Sequence, residues 1–270
     1  AGAPCIVSRI TFTGDLGFEI WMEPSYQRNV YLKIKSAGEE FKIIDFGRSI
    51  FKFDGKVFCS DSFQPGGDAA TQYSLDALEN ARDKNGQRDS RHHLSHIMVW
   101  DPNDYDRMAE LNVIANFQAL WASKDKHYDE ITFARMGKKR SKHLYPINSL
   151  HQRGVTLAFG SDWYVTSANP LLAIEVAVTR LDPDGYSNDP LLLNESIDLA
   201  TAIKAATLGS VYGNFLEHET GSIEVGKLAD LIVIDNNLFE IPPSEISEAQ
   251  VMLTMFGGEI VYGNLDDMID

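Results

Sequence analysis

The sequence predicts an α/β body followed by a small all-β unit. Three observations predict it. The run Gly154-Val155-Thr156-Leu157-Ala158-Phe159-Gly160-Ser161-Asp162-Trp163 is almost continuously apolar until it reaches Gly-Ser and a single carboxylate. A parallel strand covered on both faces has this pattern, because polar residues are pushed to its ends. Helix starts of the cap-then-proline kind recur at Asp101-Pro102 and Asn169-Pro170. From Gly221 onward the pattern changes to short apolar runs and turns, without helical periodicity. Asp162 then falls at the carboxyl end of a buried strand, where barrels and open α/β sheets keep their chemistry. There it can ligate a metal, act as a base, or cap the turn that follows.

Length and composition bound the answer. A chain of 270 residues, 44% of them hydrophobic, builds one large α/β domain or a domain with a small appendage. A net charge of -15 and a pI near 4.8 argue against a nucleic-acid partner, which requires basic surface. No apolar run reaches the length of a membrane span, and the first residues carry no signal-peptide pattern. Cys5 and Cys59 stand alone without a CxxC, so neither a disulfide framework nor a thiolate zinc site is indicated. A soluble protein of a reducing, cytoplasmic compartment is the expectation, with no membrane partner.

Taken in order, residues 6–14 and 16–22 are rich in β-branched and aromatic side chains and are parted by Gly14-Asp15, predicting a strand pair. Residues 41–46 and 49–55 predict two more short strands, the second carrying Lys52 as an edge or snorkelling residue. Asp68 is expected to cap a helix with Ala70, Tyr73, Ala77, Leu78 and Ala81 on one face and Gly86 at its end. Residues 91–99 read as a strand entered through a histidine cluster. Alternation places His92 and His96 on one side and His93 on the other.

Residues 113–117 predict another strand, and 122–145 a charged solvated loop or helical excursion long enough to cover a site. A short helix over 146–153 leads into the Gly154 strand. A helix from Asn169 to Arg180 follows, then a turn-rich loop over 182–190. A further helix is expected with Ser196 as its cap and Leu199, Ile203 and Ala206 on one face. Residues 229–235 and 251–256 predict strands, and Gly257-Gly258 turns the chain into 259–262.

These stretches resemble the metal-dependent amidohydrolases, and within them the branch called amidohydrolase family 3. The phrases that carry the resemblance are Arg91-His92 through His96, Gly160-Ser161-Asp162-Trp163, and Gly-Ser-Ile-Glu-Val-Gly-Lys-Leu-Ala-Asp-Leu-Ile-Val-Ile-Asp over 221–235. Gly257-Gly258-Glu259-Ile260-Val261-Tyr262 completes the ending. The resemblance runs from Gly67 to Tyr262, well over half the chain. Before Ile50 it fails. The run Ser8 to Ile20 and Asp45-Phe46-Gly47 instead resemble the folate-dependent aminomethyltransferases of the glycine-cleavage type. That suggests a join near Ile50.

The main resemblance implies a TIM-type (β/α)8 barrel of the metal-dependent hydrolase kind. Residues 1–220 would form it in part, with 1–50 doubtful as a member, and 221–270 would be the small β unit of a composite β-sandwich. It also implies one or two divalent metals, commonly zinc, at the strand ends. Asp162 matches the family's last-strand aspartate, as ligand and base, and His96 matches a later histidine ligand. Lys52, in Lys52-Phe53-Asp54-Gly55, matches the bridging lysine, while His92 and Trp163 would border the substrate. Two departures stand out. No His-x-His pair exists in the chain, and Gln64-Pro65-Gly66-Gly67-Asp68 stands where the family carries a His-x-x-Gly-Asp phrase. Glutamine ligates zinc poorly, and the interval from Lys52 to Gly67 is too short for a helix plus a strand. The barrel is therefore expected to be incomplete.

Two functions are expected to compete. One is a metal-dependent hydrolase acting through a metal-activated water on a non-peptide carbon–nitrogen bond of a small amide-like molecule, its activity weakened by the departures. The other is a catalytically inactive scaffold used in binding or assembly. A deaminase is a third reading, but it needs the same missing histidines. Barrel strands left uncovered by missing segments would favour homo-oligomers.

Overall fold

A computed structural model describes residues 5–8, 19–22, 33, 36, 46–47, 50–51 and 67–264, with side chains from residue 71 onward besides those of Lys33 and Ser36. The chain divides into two units, Ala1–Phe46 and Gly47–Asp270.

In the first unit, β1 (Cys5–Ser8) and β2 (Glu19–Met22) pair antiparallel, with Cys5 opposite Met22 and Ser8 opposite Glu19. This is the strand pair the β-branched runs predict. Of the next two expected strands, 41–46 and 49–55, only Phe46 and Ile50–Phe51 fall within the described residues, in β3 (Phe46–Gly47) and β4 (Ile50–Phe51), and the rest lie outside them. Lys52 and Gln64 lie outside the described residues, so the bridging ligand and the glutamine substitution have no described place in the fold.

The second unit begins at Gly47 and so includes β4; its first described helix is α1 (Gly67–Asn85). Gly86, at φ +77°, ends it in the left-handed conformation that glycine adopts without penalty. Its inward face differs from the expected one. Thr71, Ser74, Leu75 and Leu78 are buried, while Tyr73 is exposed. Positions 71, 74, 75 and 78 follow the helical repeat more closely than a set containing Tyr73.

Three parallel strands follow. They are β5 (His93–Ser95), β6 (Ile114–Phe117) and β7 (Leu157–Phe159), in sheet order β5-β6-β7. Their register sets Ser95 beside Asn116, and Asn116 beside Ala158. Leu94, Ile114, Ala115, Phe117, Leu157, Ala158 and Phe159 are all buried, each larger one contributing about 1.5–3 kcal/mol by leaving water. Between β5 and β6 lies α2 (Tyr105–Glu110), preceded by a 3-10 turn whose cap is Asp101, as expected, accepting the Asn103 N–H at 3.0 Å. Val99, expected in β5, instead forms an isolated bridge with Leu144.

The stretch between β6 and β7 is a helical excursion. It holds a π-helix (Tyr128–Phe133), α3 (Ala134–Arg140, broken at Gly137) and α4 (Ile147–His151). After β7 comes α5 (Pro170–Thr179), whose Asn169 Oδ1 accepts the Leu171 N–H at 3.0 Å. Arg180 closes α5 with φ +60° and is wholly buried. Its guanidinium is held by backbone carbonyls rather than a carboxylate, with Nε donating to Leu191 O at 2.8 Å. Burial lowers its pKa to about 10.

Next come α6 (Leu199–Lys204), a π-helical turn (Ala205–Gly209) and α7 (Ser210–Gly213). Asp198, not Ser196, is the cap of α6. Its carboxylate accepts both the N–H and the hydroxyl of Thr201 at 2.8 Å, bonds that lower its pKa. The π-turn presses on β7, since a Cβ on Gly209 would lie 1.9 Å from the Leu157 carbonyl oxygen. Ser210 Oγ donates to Phe159 O at 2.8 Å.

The entrance to β5 is tied to this same region. Arg91 lies between the rings of Tyr212 and Phe215, 4.0 and 4.2 Å from their centroids, and its Nη1 donates to Glu217 Oε2 at 2.6 Å. That bond holds the Glu217 carboxyl at about 2.

The chain ends its described part in an antiparallel sheet of β8 (Leu231–Ile234), β9 (Val251–Phe256) and β10 (Glu259–Tyr262), ordered β10-β9-β8. The expected β-rich ending is therefore present, with the Gly257-Gly258 turn where the sequence places it. No closed barrel is formed among the described residues. Among the described residues the parallel sheet has three strands and does not close, because closure requires the tilt and stagger of about eight. No helix among the described residues is long and apolar enough to cross a membrane.

Candidate active site at the carboxyl end of the parallel sheet

Parallel strands in register bring their carboxyl ends to one edge. His96 follows Ser95 at the end of β5, Gln118 follows Phe117 at the end of β6, and Asp162 comes three residues after the end of β7. Both His96 and Asp162 have left-handed backbones, at φ +58° and +51°. Non-glycine residues adopt that conformation at some energetic cost and concentrate at functional sites. The imidazole Nε2 of His96 lies 3.3 Å from Oδ2 of Asp162.

Around this pair the strand ends supply polar groups. Gln118 is buried, and its Oε1 accepts the backbone N–H of His96 at 3.0 Å. Asn116 Nδ2 donates to Ser95 Oγ at 3.1 Å. His96 Nδ1 and Asn116 Oδ1 are buried and meet no hydrogen-bond partner among the described residues. Gly160 borders these groups, and a Cβ there would meet Asn116 Oδ1 at 3.5 Å and Gln118 Nε2 at 3.6 Å, ordinary contact distances. Trp121 stacks on the His96 ring, with centroids 5.6 Å apart and planes at 7°.

The turn after β7 separates the possible roles of Asp162. It is closed by the backbone carbonyl of Asp162, which accepts the Val165 N–H at 2.7 Å, and by Ser161 Oγ, which accepts the Trp163 N–H at 3.2 Å. The Asp162 carboxylate takes no part in these bonds and faces His96 instead. Trp163 is 72% exposed, with Tyr164 and Val165 exposed beside it, so its large ring is a surface feature beside Asp162 and not a core residue.

His92 is not part of this group. Its carbonyl accepts the Ile114 N–H at 2.8 Å, which places it at the amino end of the sheet. The three residues of β5 separate it from His96, a rise of roughly 10 Å. Burial lowers its pKa. The alternation that grouped His92 with His96 fails because His96 has already left the strand. Sequence reasoning also passed over Gln118, Asn116 and Trp121. Gln118 carried a usable signal, since it is a polar residue closing an apolar strand, as Asp162 is.

Residues 65–262 match the family model described as the amidohydrolase family. The chain belongs to the amidohydrolase family. Residues 1–52 match a different model, the GCVT N-terminal domain, in accord with a join near Ile50. This amidohydrolase-family chain is 32% identical over 197 residues to the protein LONG AFTER FAR-RED 3 of Arabidopsis thaliana, covering 73% of the chain and 33% of that protein. It is 26% identical over 199 residues to the N-substituted formamide deformylase of Arthrobacter pascens, covering 73% of the chain and 35% of that enzyme. The chain thus spans about a third of the length of the curated relatives it matches. An uncharacterized metal-dependent hydrolase from Pyrococcus horikoshii OT3 shares the fold, with a TM-score of 0.55 at 20% identity over 85% of this chain and 40% of that one.

Family membership implies a divalent metal. His96 and Asp162 are two donors of suitable chemistry, and the buried, unpartnered Nδ1 of His96 is one further lone pair at the site. A catalytic zinc site uses three protein ligands and an open position. Among the described residues no group of three or more His, Cys, Asp or Glu side chains converges. The described residues therefore do not make a complete metal site by themselves.

Proposed function

We propose that this protein is a hydrolase of carbon–nitrogen bonds in small amide-like molecules, and that His96 and Asp162 are its share of the catalytic centre. The observation that carries the reading is the His96–Asp162 pair, 3.3 Å apart at the carboxyl edge of a parallel sheet. In the proposed reaction, water adds to the amide carbon, the Asp162 carboxylate takes the proton that water loses, and the same proton passes to the departing nitrogen. His96 fixes the carboxylate in place. The exposed ring of Trp163 would lie against the substrate beside Asp162. A zinc ion is the proposed cofactor. Its other ligands would come from beyond the described residues, Lys52 being the one proposed by resemblance, and no step is assigned to it.

The shortage of converging donors among the described residues favours a second reading, an amidohydrolase scaffold without turnover. Metal content separates the two. Elemental mass spectrometry of the purified protein and of Asp162→Ala is expected to find about one zinc per chain in the first and less in the second. No metal in either protein would overturn the hydrolase reading and leave the scaffold.

A further inference from the structure

We infer that Gln118 is a positioning residue, and that the loop following β6 sets the geometry of the pair at the ends of β5 and β7. The inference deepens the reading above, because His96 is the ligand proposed there. It rests on two contacts that converge on His96 and a third that ties them to the turn bearing Asp162. First, the peptide before His96 has lost its strand partner, because the parallel ladder ends at Ser95 beside Asn116. The His96 N–H is satisfied by the side chain of Gln118 instead, at 3.0 Å. A side-chain acceptor at that point permits the backbone to turn to φ +58°, away from the strand direction. Second, the imidazole is held by Trp121, stacked at 7°. Third, Trp121 is itself anchored to the loop bearing Asp162, since its Nε1 donates to Thr166 Oγ1 at 3.3 Å and that hydroxyl donates to Ser161 O at 2.5 Å.

One short segment, Gln118 to Trp121, therefore fixes both the backbone and the ring of His96 and ties them to the turn that presents Asp162. Gln118 is suited to the task. It is only 6% exposed and reaches back to β5 from the end of the neighbouring strand. An asparagine, one methylene shorter, would fall short of the His96 N–H, and leucine has no acceptor. Glutamate keeps an acceptor oxygen at the same reach.

The test uses nuclear magnetic resonance on histidine-labelled full-length protein, with no dependence on turnover or metal. The wild type is expected to show a protected His96 amide and His96 ring protons in contact with, and shifted upfield by, the Trp121 indole. In Gln118→Leu the amide should exchange roughly tenfold faster, the worth of one ordinary hydrogen bond, and the ring contact should be lost. Gln118→Glu should restore both. If Gln118→Leu does not fold by circular dichroism, Gln118→Asn serves in its place. Trp121→Leu is expected to lose the ring signature while keeping the amide protection. A folded Gln118→Leu or Gln118→Asn with wild-type His96 signals, or a folded Gln118→Glu that restores neither, would overturn the inference. Metal content decides the hydrolase reading separately, so the two can fail independently.

Discussion

His96 and Asp162 meet at 3.3 Å although they follow different strands, and each does so from a left-handed backbone. The contact is between side chains, while the local turn is closed by the carbonyl of Asp162. Removing the charge therefore leaves the turn intact. Asp162→Asn is expected to keep the far-UV spectrum and melting behaviour of the wild type while lowering kcat for an amide substrate about 10²- to 10⁴-fold, the usual worth of a general base. Equal rates in the two proteins would remove Asp162 from the chemistry.

The contact of the π-turn with β7 leaves no space for a side chain at Gly209. A Cβ there would lie 1.9 Å from a backbone oxygen, and neither partner is the end of a flexible chain. Gly209→Ala should destabilise the protein by about 1–3 kcal/mol through overpacking, read as a lower urea midpoint. The equivalent change at Gly86, where a Cβ would meet nothing, acts only through its positive φ.

Acid should loosen the Arg91 clamp in a defined window. Glu217 has a folded pKa of about 2 against an ordinary 4.5, chiefly because it accepts a hydrogen bond from Arg91. Between those values the unfolded state binds more protons, so stability rises with pH across the window. The contribution is complete above pH 4.5 and is lost as pH falls towards 2. Thermal melts of wild type and Glu217→Gln should differ most above that window and converge below it. A constant difference across the range would show that the carboxylate is not what Arg91 requires.

Asn169 caps α5 in the way its sequence suggests, through Oδ1 and the Leu171 N–H. Asn169→Ala should cost about 0.5–2 kcal/mol, measured by urea unfolding. The helix carries six buried residues and packs on the core, so loss of the cap should lower stability without unfolding the chain.

Local chemistry was legible where a residue's role depends on its neighbours in the chain. The Asn169 and Asp101 caps, the apolar β7 strand and the Gly257-Gly258 turn all follow from spacing, because a cap or turn is decided within about four residues. Asp162 was legible for the same reason, as the polar stop of a buried strand. Tyr73 and Ser196 were misplaced because the inward face of a helix, and the choice between Ser196 and Asp198 as cap, depend on what packs nearby.

The site itself belongs to the other category. The sequence by itself determined the apolar strands, their polar ends, and the identities of His96 and Asp162. Only the tertiary structure decided that these two meet, that Gln118 and Trp121 hold one of them, and that His92 lies at the far end. Register between parallel strands is fixed by packing on both faces of the sheet, and no local pattern carries it. Once β5, β6 and β7 are aligned, their carboxyl ends must coincide, and residues distant in sequence become one cluster.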